Sequence, residues 1–341
     1  MGLSFDLHQQ LATAHHGDSE WDYRRVRTVS VSGNVGSIRK KRSSKVTNNS
    51  SGVPKSETKK DKGALPDDLQ WLSPDIIDDW EVLGHKSDTA QVHPWKFTTS
   101  ILRKAVEAGA ELIIGKVTSV QLNSDGQAVG VSYTKSKDSP ETTNSIQADK
   151  VVLTMGPWTS RLLPSCPISG LRAHSITIQT DKQLPACGVF TELRTGHSGF
   201  ITPEVYPRKD EVYVCGEGDT ATSLPDTVDE VEVVSEKCDD LFQYAGQISP
   251  ELSQGRVQRR QACYLPIIDI PSCSGPFIGK TTVPNLLLAS GHSCWGINNA
   301  PATGLLMSEI ILDGEAKSAS LEGCEPWLFF DAKDVVTTTQ I

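Results

Sequence analysis

The stretch NLLLASGHSCWGINNAPATGLLMSEIILDG at residues 285–314 decides the fold. Its first six residues are a short apolar run, which predicts a buried strand. Gly291 then marks a turn. The run that follows predicts a helix that begins at Pro301, because proline favours the first helical position, and ends at Gly314, a residue type common just past helix ends. A buried strand, a glycine turn and a helix in this order are typical of a nucleotide-binding α/β layer.

A second apolar run at residues 149–155 ends in Gly156-Pro157-Trp158, and it predicts another buried strand of the same layer. Before it, the sequence predicts a helix that begins at Pro94 and an antiparallel hairpin of strands 115–122 and 128–134, joined at Asp125-Gly126. Alternating segments at 25–32, 173–179, 199–203 and 211–216 predict further strands, and residues 228–244 predict a helix. We therefore expect an α/β (α+β) fold with an inserted β meander.

Composition excludes several classes of protein. The 341 residues are 37% hydrophobic, which is enough to bury a core, and their net charge of −9 argues against nucleic acid as a partner. No apolar run reaches the roughly 18 residues that cross a bilayer, and residues 1–11 lack a signal-peptide layout. The eight cysteines are scattered without zinc-ligand spacing. We expect a cytoplasmic protein with reduced thiols, no metal and no membrane insertion.

Four segments lie in a definite order along the chain: the helix after Gln91-Val92-His93-Pro94, the run ADKVVLTMGPW at 148–158, GPFIG at 275–279, and the segment 291–314. In this order they resemble the D-amino-acid oxidase and sarcosine oxidase superfamily of FAD-dependent oxidoreductases. The resemblance spans about residues 90–314. It implies a Rossmann-like FAD-binding layer and a substrate domain built on a mixed β-sheet.

The resemblance also implies the chemistry. Members of the family oxidise the C–N bond of an amine or amino acid by passing a hydride to FAD, and oxygen then reoxidises the flavin. A helix N-terminus is suited to stabilise the negative charge that collects on the reduced ring. The cofactor-binding residues implied by the resemblance are Val117, Thr154, Met155, Gly156, Trp158, Cys263, Gly291, His292, Cys294, Trp295, Gly296 and Ile297.

Some of these assignments have alternatives. Val117 and Trp158 also suit core packing, and His292 also suits a hydrogen-bonded core position. Cys263 resembles the position at which monomeric sarcosine oxidase and pipecolate oxidase attach their flavin through a thioether, although free cysteines are commonly buried and inert.

The catalytic residues stay open. In the family, arginine with tyrosine holds a substrate carboxylate, because a planar guanidinium matches a carboxylate in two-point geometry. Arg260 and Tyr206 are our candidates here, and further candidates in the β-rich region are Arg172, Arg194, Arg208, Arg259 and Tyr264.

The chain departs from the family at its beginning. It contains no G-x-G-x-x-G sequence, and Gly33 and Gly36 have the wrong spacing to supply one. Residues 1–8 resemble a helix that follows this motif in the family, so we expect the layer to be truncated at its amino terminus. Two functions remain: an FAD-dependent oxidoreductase of a small-molecule amine or amino acid, or a non-catalytic, flavin-free derivative that binds a protein partner. The substrate, the electron acceptor and the oligomeric state are left open.

The same features give a domain assignment. Residues 1–170 are predicted to form the FAD-binding part, 171–280 the substrate domain, 281–315 a return to the FAD-binding part, and 316–341 a tail. Residues 38–66 are rich in Lys, Ser, Asn and Thr, with almost no large apolar side chain. Burial cannot offset the entropy of ordering such a segment, so we expect a disordered basic loop.

Limited digestion with trypsin tests the expected loop. Nine Lys and Arg residues lie between Arg39 and Lys62, and we expect the first cuts among them, with the remaining fragments staying folded. Early cleavage elsewhere, with this segment protected, would show that the loop is ordered.

Overall fold

The computed structural model describes residues 2–35, 65–135, 143–195, 199–219, 222–271, 273 and 275–338. Most of the predicted loop at 38–66 lies outside the described residues. The α-helices of the described part are α1 (Gly2–Ala14), α2 (Gly17–Glu20), α3 (Pro94–Glu107), α4 (Ser235–Ile248), α5 (Pro250–Gln254) and α6 (Gly296–Asp313). None of them is long and apolar enough to cross a membrane.

The described strands are β1 (Arg24–Arg25), β2 (Arg27–Asn34), β3 (Ile77–Gly84), β4 (Ala90–Gln91), β5 (Lys116–Leu122), β6 (Ala128–Thr134), β7 (Thr143–Gln147), β8 (Val151–Leu153), β9 (Ile168–Gln179), β10 (Cys187–Thr195), β11 (Gly199–Ile201), β12 (Glu204–Pro207), β13 (Val212–Asp219), β14 (Arg256–Ile268), β15 (Phe277–Lys280) and β16 (Leu286–Ser290).

A small layer forms around β16, whose five residues are all buried. The layer has the order β15-β16-β8, and β16 runs parallel to β8, with Leu287 opposite Val152. The meander β5-β6-β7 packs beside it and shares a core through Val120, Leu153 and Leu288. Helix α6 covers the other side through Met307. This is the α/β layer with an inserted meander that the sequence predicts.

The large sheet has the order β14-β9-β13-β12-β10-β2-β3, with β11 attached to β10. Alternate residues of its strands, such as Ile176 and Val189, are fully buried against a core to which α4 contributes Leu241. Only β2 and β10 pair in parallel in this sheet, among the described strands. The predicted boundary at residue 170 assigns β2 and β3 to the FAD-binding part, whereas both strands pair within the large sheet.

Two helix predictions need correction. The helix predicted at residues 228–244 is a short 3-10 helix, Val228–Glu230, followed by α4. The segment between them is not helical, and the backbone N–H of Val234 donates to Nε2 of His174 at 3.0 Å. The last helix begins at Gly296 and not at Pro301, so the proline lies inside it.

Pro301 interrupts the hydrogen bonding of α6, and α1 supplies the missing partners. Proline has no N–H, so the carbonyl of Ile297 lacks its usual helical donor. His8 Nε2 lies 2.8 Å from that oxygen. One turn earlier on α1, the Ser4 hydroxyl donates to the Asn298 carbonyl at 2.6 Å and accepts from the N–H of Ala302 at 3.4 Å.

A small apolar core holds this junction in place. The Phe97 ring of α3 lies 5.0 Å from the His8 ring and 5.6 Å, edge-on, from Trp21. Ile297 packs against the same cluster. Burial lowers the pKa of His8, so its imidazole is neutral near pH 7 and its Nε2 can donate to the Ile297 carbonyl as an N–H. The first turn of α6 is therefore fixed by α1, with Trp21 and the α3 residue Phe97 packed behind the contact.

A double-mutant cycle tests the junction. We expect His8→Ala to destabilise the protein by about 1–3 kcal/mol, because it leaves a half-buried carbonyl without a donor. Pro301→Ala restores an N–H that can reach Ile297, so the cost of losing His8 should shrink in that background. Urea denaturation measures both values. Thr13→Ala, which removes an exposed hydroxyl bond within α1, is the control. If His8→Ala lowers the free energy of unfolding equally in the wild-type chain and in Pro301→Ala, His8 does not compensate for the proline.

Candidate functional site

The carboxyl ends of β8 and β16 lie side by side at one edge of the small layer. The Ser290 hydroxyl donates to the carbonyl of Gly156 at 3.1 Å, and Thr159 donates to Ser290 at 3.0 Å. The chain leaves β8 through the 3-10 helix Gly156–Arg161 and leaves β16 through the turn Ser293–Trp295. Ligands of α/β layers commonly bind in the crevice at such strand ends.

The two glycines at these strand ends have different constraints. Gly156 has φ +55°, and a Cβ added there would meet nothing within 4 Å. It therefore offers open space above the strand end. Gly291 has φ +83°, and its Cβ would lie 2.9 Å from the Ile268 side chain. Packing against β14 is thus a sufficient reason for glycine at 291.

The N-terminus of α6 lies at the same edge. Among the described residues no side chain caps it, so the N–H groups of its first turn carry the positive end of the helix dipole without a protein acceptor from a side chain. Exposure changes at this helix end: Cys294 and Trp295, just before α6, are exposed, whereas Gly296 and Ile297, its first two residues, are half-buried.

His292 lies half-buried beside this helix end. Its Nε2 is 3.0 Å from the Thr303 hydroxyl, and burial lowers its pKa. The imidazole is therefore neutral near pH 7. Its bond to Thr303 agrees with a hydrogen-bonded core histidine, and its position beside the α6 end agrees with a residue that borders the flavin. The structure is therefore consistent with both roles that the sequence suggests for His292.

A groove of about 370 Å³ lies along the outer edge of β8. Among the described strands, β8 has no partner on this side. Val117, Thr154 and Met155 line the groove together with Gly130 and Ile146 of the meander. Trp158 is directed elsewhere, because its indole N–H donates to the carbonyl of Pro225 at 2.8 Å.

One face of the large sheet packs against α4. We call the opposite face the polar face. The cross-strand partners Phe190, Glu204, Cys215, Ser175 and Gln261 form one row across it, with Tyr206 paired to Tyr213 in the next row. Directly paired residues point to the same side of a sheet, so the row is continuous. Strand β14, at one end of the row, contacts the turn Ser293–Trp295. The strand at one end of the row therefore also borders the α6 end.

Cys263 lies on β14 two residues beyond Gln261, on the polar face. The residue is exposed, yet the surrounding protein raises the pKa of its thiol by desolvation. A raised pKa leaves little thiolate at neutral pH, and the thiolate is the nucleophilic form.

The two catalytic candidates lie on opposite faces of the sheet. Arg260 points toward α4, where its guanidinium pairs with Asp239 at 2.7 Å in an exposed position. Tyr206 is half-buried on the polar face, and its hydroxyl donates to Glu204 at 2.5 Å. Alternation along β14 explains the difference, since Gln261 and Cys263 occupy the polar face and Arg260 therefore cannot.

Sequence reasoning missed Glu204, Tyr213 and Cys215 as members of this face. Only the 211–216 strand was predicted here, and β12 is four residues long, which is too short for a convincing alternating pattern. Pro203, followed by the Val-Tyr-Pro run, is only a weak signal for a strand. Pairing with β10 and β13 is what gives these residues a common face.

The described residues fit the flavin end of FAD. The open space over Gly156, the uncapped α6 N-terminus and the groove beside β8 are suited to a flat ring and an elongated dinucleotide. No strand, glycine turn and helix unit lies beside β8 among the described residues, so the fit does not include a pyrophosphate cradle.

A pair of glycine variants tests the space over β8. Gly156→Ala and Gly126→Ala should each cost about 1–2 kcal/mol of stability, because both glycines have positive φ and open surroundings. Only Gly156→Ala should weaken FAD binding, by at least about tenfold, since its methyl group projects into the site. Flavin fluorescence titration measures the binding. Equal flavin affinities for the two variants would contradict this placement.

Known proteins resemble this chain along most of its length. The sequence pattern of the DAO family, described as FAD dependent oxidoreductase, matches residues 2–310. "Putative oxidoreductase TDA3" of Saccharomyces cerevisiae is 38% identical over 437 aligned positions, which cover 97% of this chain and 83% of that protein. "Putative oxidoreductase C1F5.03c" of Schizosaccharomyces pombe is 33% identical over 95% of this chain and 80% of that protein.

Solved structures share the fold at lower identity. Glycine oxidase from Geobacillus kaustophilus superposes with a TM-score of 0.67 at 16% identity, covering 95% of this chain and 80% of that enzyme. Iminodiacetate oxidase from Chelativorans sp. BNC1 gives 0.66 at 18% identity, covering 96% and 83%. These likenesses confirm the predicted fold class, and the family match confirms the predicted cofactor, FAD. The chain belongs to the DAO family of FAD-dependent oxidoreductases.

Proposed function

We propose that this protein oxidises the C–N bond of a small-molecule amine or amino acid. The observation that carries the proposal is the contact of β14 with the turn Ser293–Trp295, because it brings the polar face of the large sheet beside the α6 N-terminus. A substrate on that face lies next to the flavin end of the site. The similar structures named above include a glycine oxidase and an iminodiacetate oxidase, and both names refer to nitrogen compounds.

The chain's own groups have limited tasks in such a reaction. When bound, FAD accepts a hydride from the carbon next to the substrate nitrogen. The positive end of the α6 dipole would stabilise negative charge on a flavin ring bound beside it. His292 adds a hydrogen-bonding group that is uncharged near pH 7. Hydride removal from an amine needs little acid–base machinery, which agrees with a polar face whose tyrosines and Cys215 all have raised pKa values.

The polar face also holds the substrate. Tyr206 and Tyr213 have ring centroids 6.2 Å apart, and Phe190 packs edge-on to Tyr206 at 5.9 Å. Such half-buried rings bind the carbon skeleton of an amine, while Glu204 and Ser175 supply polar contacts on the same face. Arg260 takes no part in our proposal, because its guanidinium lies on the opposite face.

Attachment of flavin to Cys263 stays a secondary proposal. The residue lies on the strand that contacts Ser293–Trp295, which favours it, whereas desolvation of its thiol disfavours thiolate chemistry. Denaturation of the flavoprotein in acid decides the point. Flavin that stays with the denatured wild-type protein but is released from Cys263→Ser would support a covalent link. Release of flavin from the wild-type protein would show that no such link exists.

Anaerobic reduction tests the proposed reaction. Mixing the FAD-loaded protein with primary amines, secondary amines or α-amino acids should bleach the flavin's visible absorption for at least one of these classes, and 2-hydroxy acids should leave it unchanged. Oxygen should then restore the absorption with formation of hydrogen peroxide. Bleaching by hydroxy acids alone would move the reaction to C–O bonds and contradict the proposal.

A pair of variants tests the assignment of faces. With the best amine of that series, Tyr206→Phe should raise KM, because it removes a hydroxyl from the substrate-binding face. Arg260→Gln should leave kcat/KM within about twofold, as expected for an exposed surface pair. Steady-state peroxide assays measure both. A large loss of activity in Arg260→Gln would return that arginine to the site.

A further inference from the structure

Glu204 is a half-buried carboxylate without a positively charged partner. Two other carboxylates of low exposure have one: Asp22 lies 2.6 Å from Lys96, and Glu211 lies 2.7 Å from Arg208. No Lys, Arg or His of the described residues lies within ion-pair distance of Glu204.

The contacts that Glu204 does make are with neutral groups. The Tyr206 hydroxyl donates to its Oε2 at 2.5 Å, and the Cys215 thiol lies 3.7 Å from the same oxygen. Burial and the carboxylate together raise the pKa of both donors, so both keep their protons. Arg259 belongs to the same face, but it lies on β14 with β9 and β13 between it and β12. Arg208 stacks over the Tyr213 ring and pairs with Glu211. Among the described residues, Glu204 therefore has no ion-pair partner on this face.

Aromatic rings surround the carboxylate on its own face. Phe190 is its cross-strand partner on β10, and Tyr206 follows it on β12. Tyr213 packs against Tyr206 on the other side, and Arg208 stacks over the Tyr213 ring at 4.5 Å. Ring faces attract cations, and a carboxylate among rings is the arrangement by which proteins bind alkylammonium groups. A bound cation would also offset the cost of partly burying the charge of Glu204.

We infer that Glu204, with Phe190 and Tyr206, binds an ammonium group of the substrate. The inference rests on the proposed amine oxidation and narrows its substrate class. Removal of a hydride beside nitrogen needs a free electron pair on that nitrogen, whereas Glu204 stabilises the charged form. The nitrogen at Glu204 is therefore a second one, and the substrate is an amine that carries a separate cationic group.

The spacing of the strands agrees with a substrate of this kind. Glu204 lies three strands from Gln261 along the row, which is roughly 14 Å at the usual separation of neighbouring strands. The strand of Gln261, β14, is the one that contacts the turn before α6. The anchored end and the reacting end of the substrate thus occupy different parts of the polar face, as in an elongated molecule with two nitrogens.

Binding of a permanent cation tests the inference. Choline is the probe, and 3,3-dimethylbutan-1-ol, which has carbon in place of the charged nitrogen, is its neutral counterpart. In calorimetric titrations of the FAD-loaded protein we expect choline to bind at least about tenfold more tightly than the alcohol. Glu204→Gln should abolish this preference. Glu192→Gln, which neutralises an exposed carboxylate on β10, should keep it.

A second variant keeps the test decisive. Phe190→Leu should lower the affinity for choline by at least about threefold and leave that for the alcohol unchanged, even if Glu204→Gln folds poorly. Equal affinities of the wild-type protein for the two probes, or an unchanged preference in Glu204→Gln, would overturn the inference. The choline nitrogen has no free electron pair and cannot be oxidised at its C–N bonds, so this result is independent of the amine-reduction assay.

Discussion

The structure depends on the hydrogen bonds that α1 makes to α6 where Pro301 interrupts that helix. A proline six residues into a helix leaves a carbonyl without a donor and opens the first turn. His8 and Ser4, one turn apart on α1, occupy the opening, and the cluster of Trp21 and Phe97 holds α1 there. The direction of the α6 N-terminus is thus set by α1, almost 300 residues earlier in the sequence.

The small layer and the large sheet both contribute to the candidate site. The small layer contributes the carboxyl ends of β8 and β16, with Gly156 and the turn before α6, which suit a flavin. The large sheet contributes its polar face through β14, and the hairpin that carries Tyr206 and Tyr213 is tied to the α2 and α3 region by Lys96 and Lys209, which both pair with Asp22. The proposed cofactor and substrate surfaces therefore share their supports, and we expect a change at the junction to affect both.

The sequence predicted the elements whose patterns are local. The predicted bounds agree with the structure to within about two residues for β5, β6, β8, β16 and α3. Apolar runs, an Asp-Gly turn and a proline mark these elements in the sequence. Pro301 was placed wrongly at a helix start, since its compensating partners lie almost 300 residues away at Ser4 and His8. Strand β14 was not predicted, because its charged residues obscure the alternating pattern. Without this strand, the sequence could not show that Arg260 and Cys263 lie on opposite faces of the sheet. The row of Glu204 exists only through pairing of five strands, which no single segment encodes.

The central claim is that FAD binds with its flavin at the α6 N-terminus and beside the end of β8. Hydrogen exchange of backbone amides, followed by mass spectrometry with and without FAD, tests it most directly. We expect FAD to slow exchange in peptides covering residues 291–300 and 151–158 and to leave exchange in α4 unchanged. Protection confined to other segments, with both of these peptides unaffected, would contradict it.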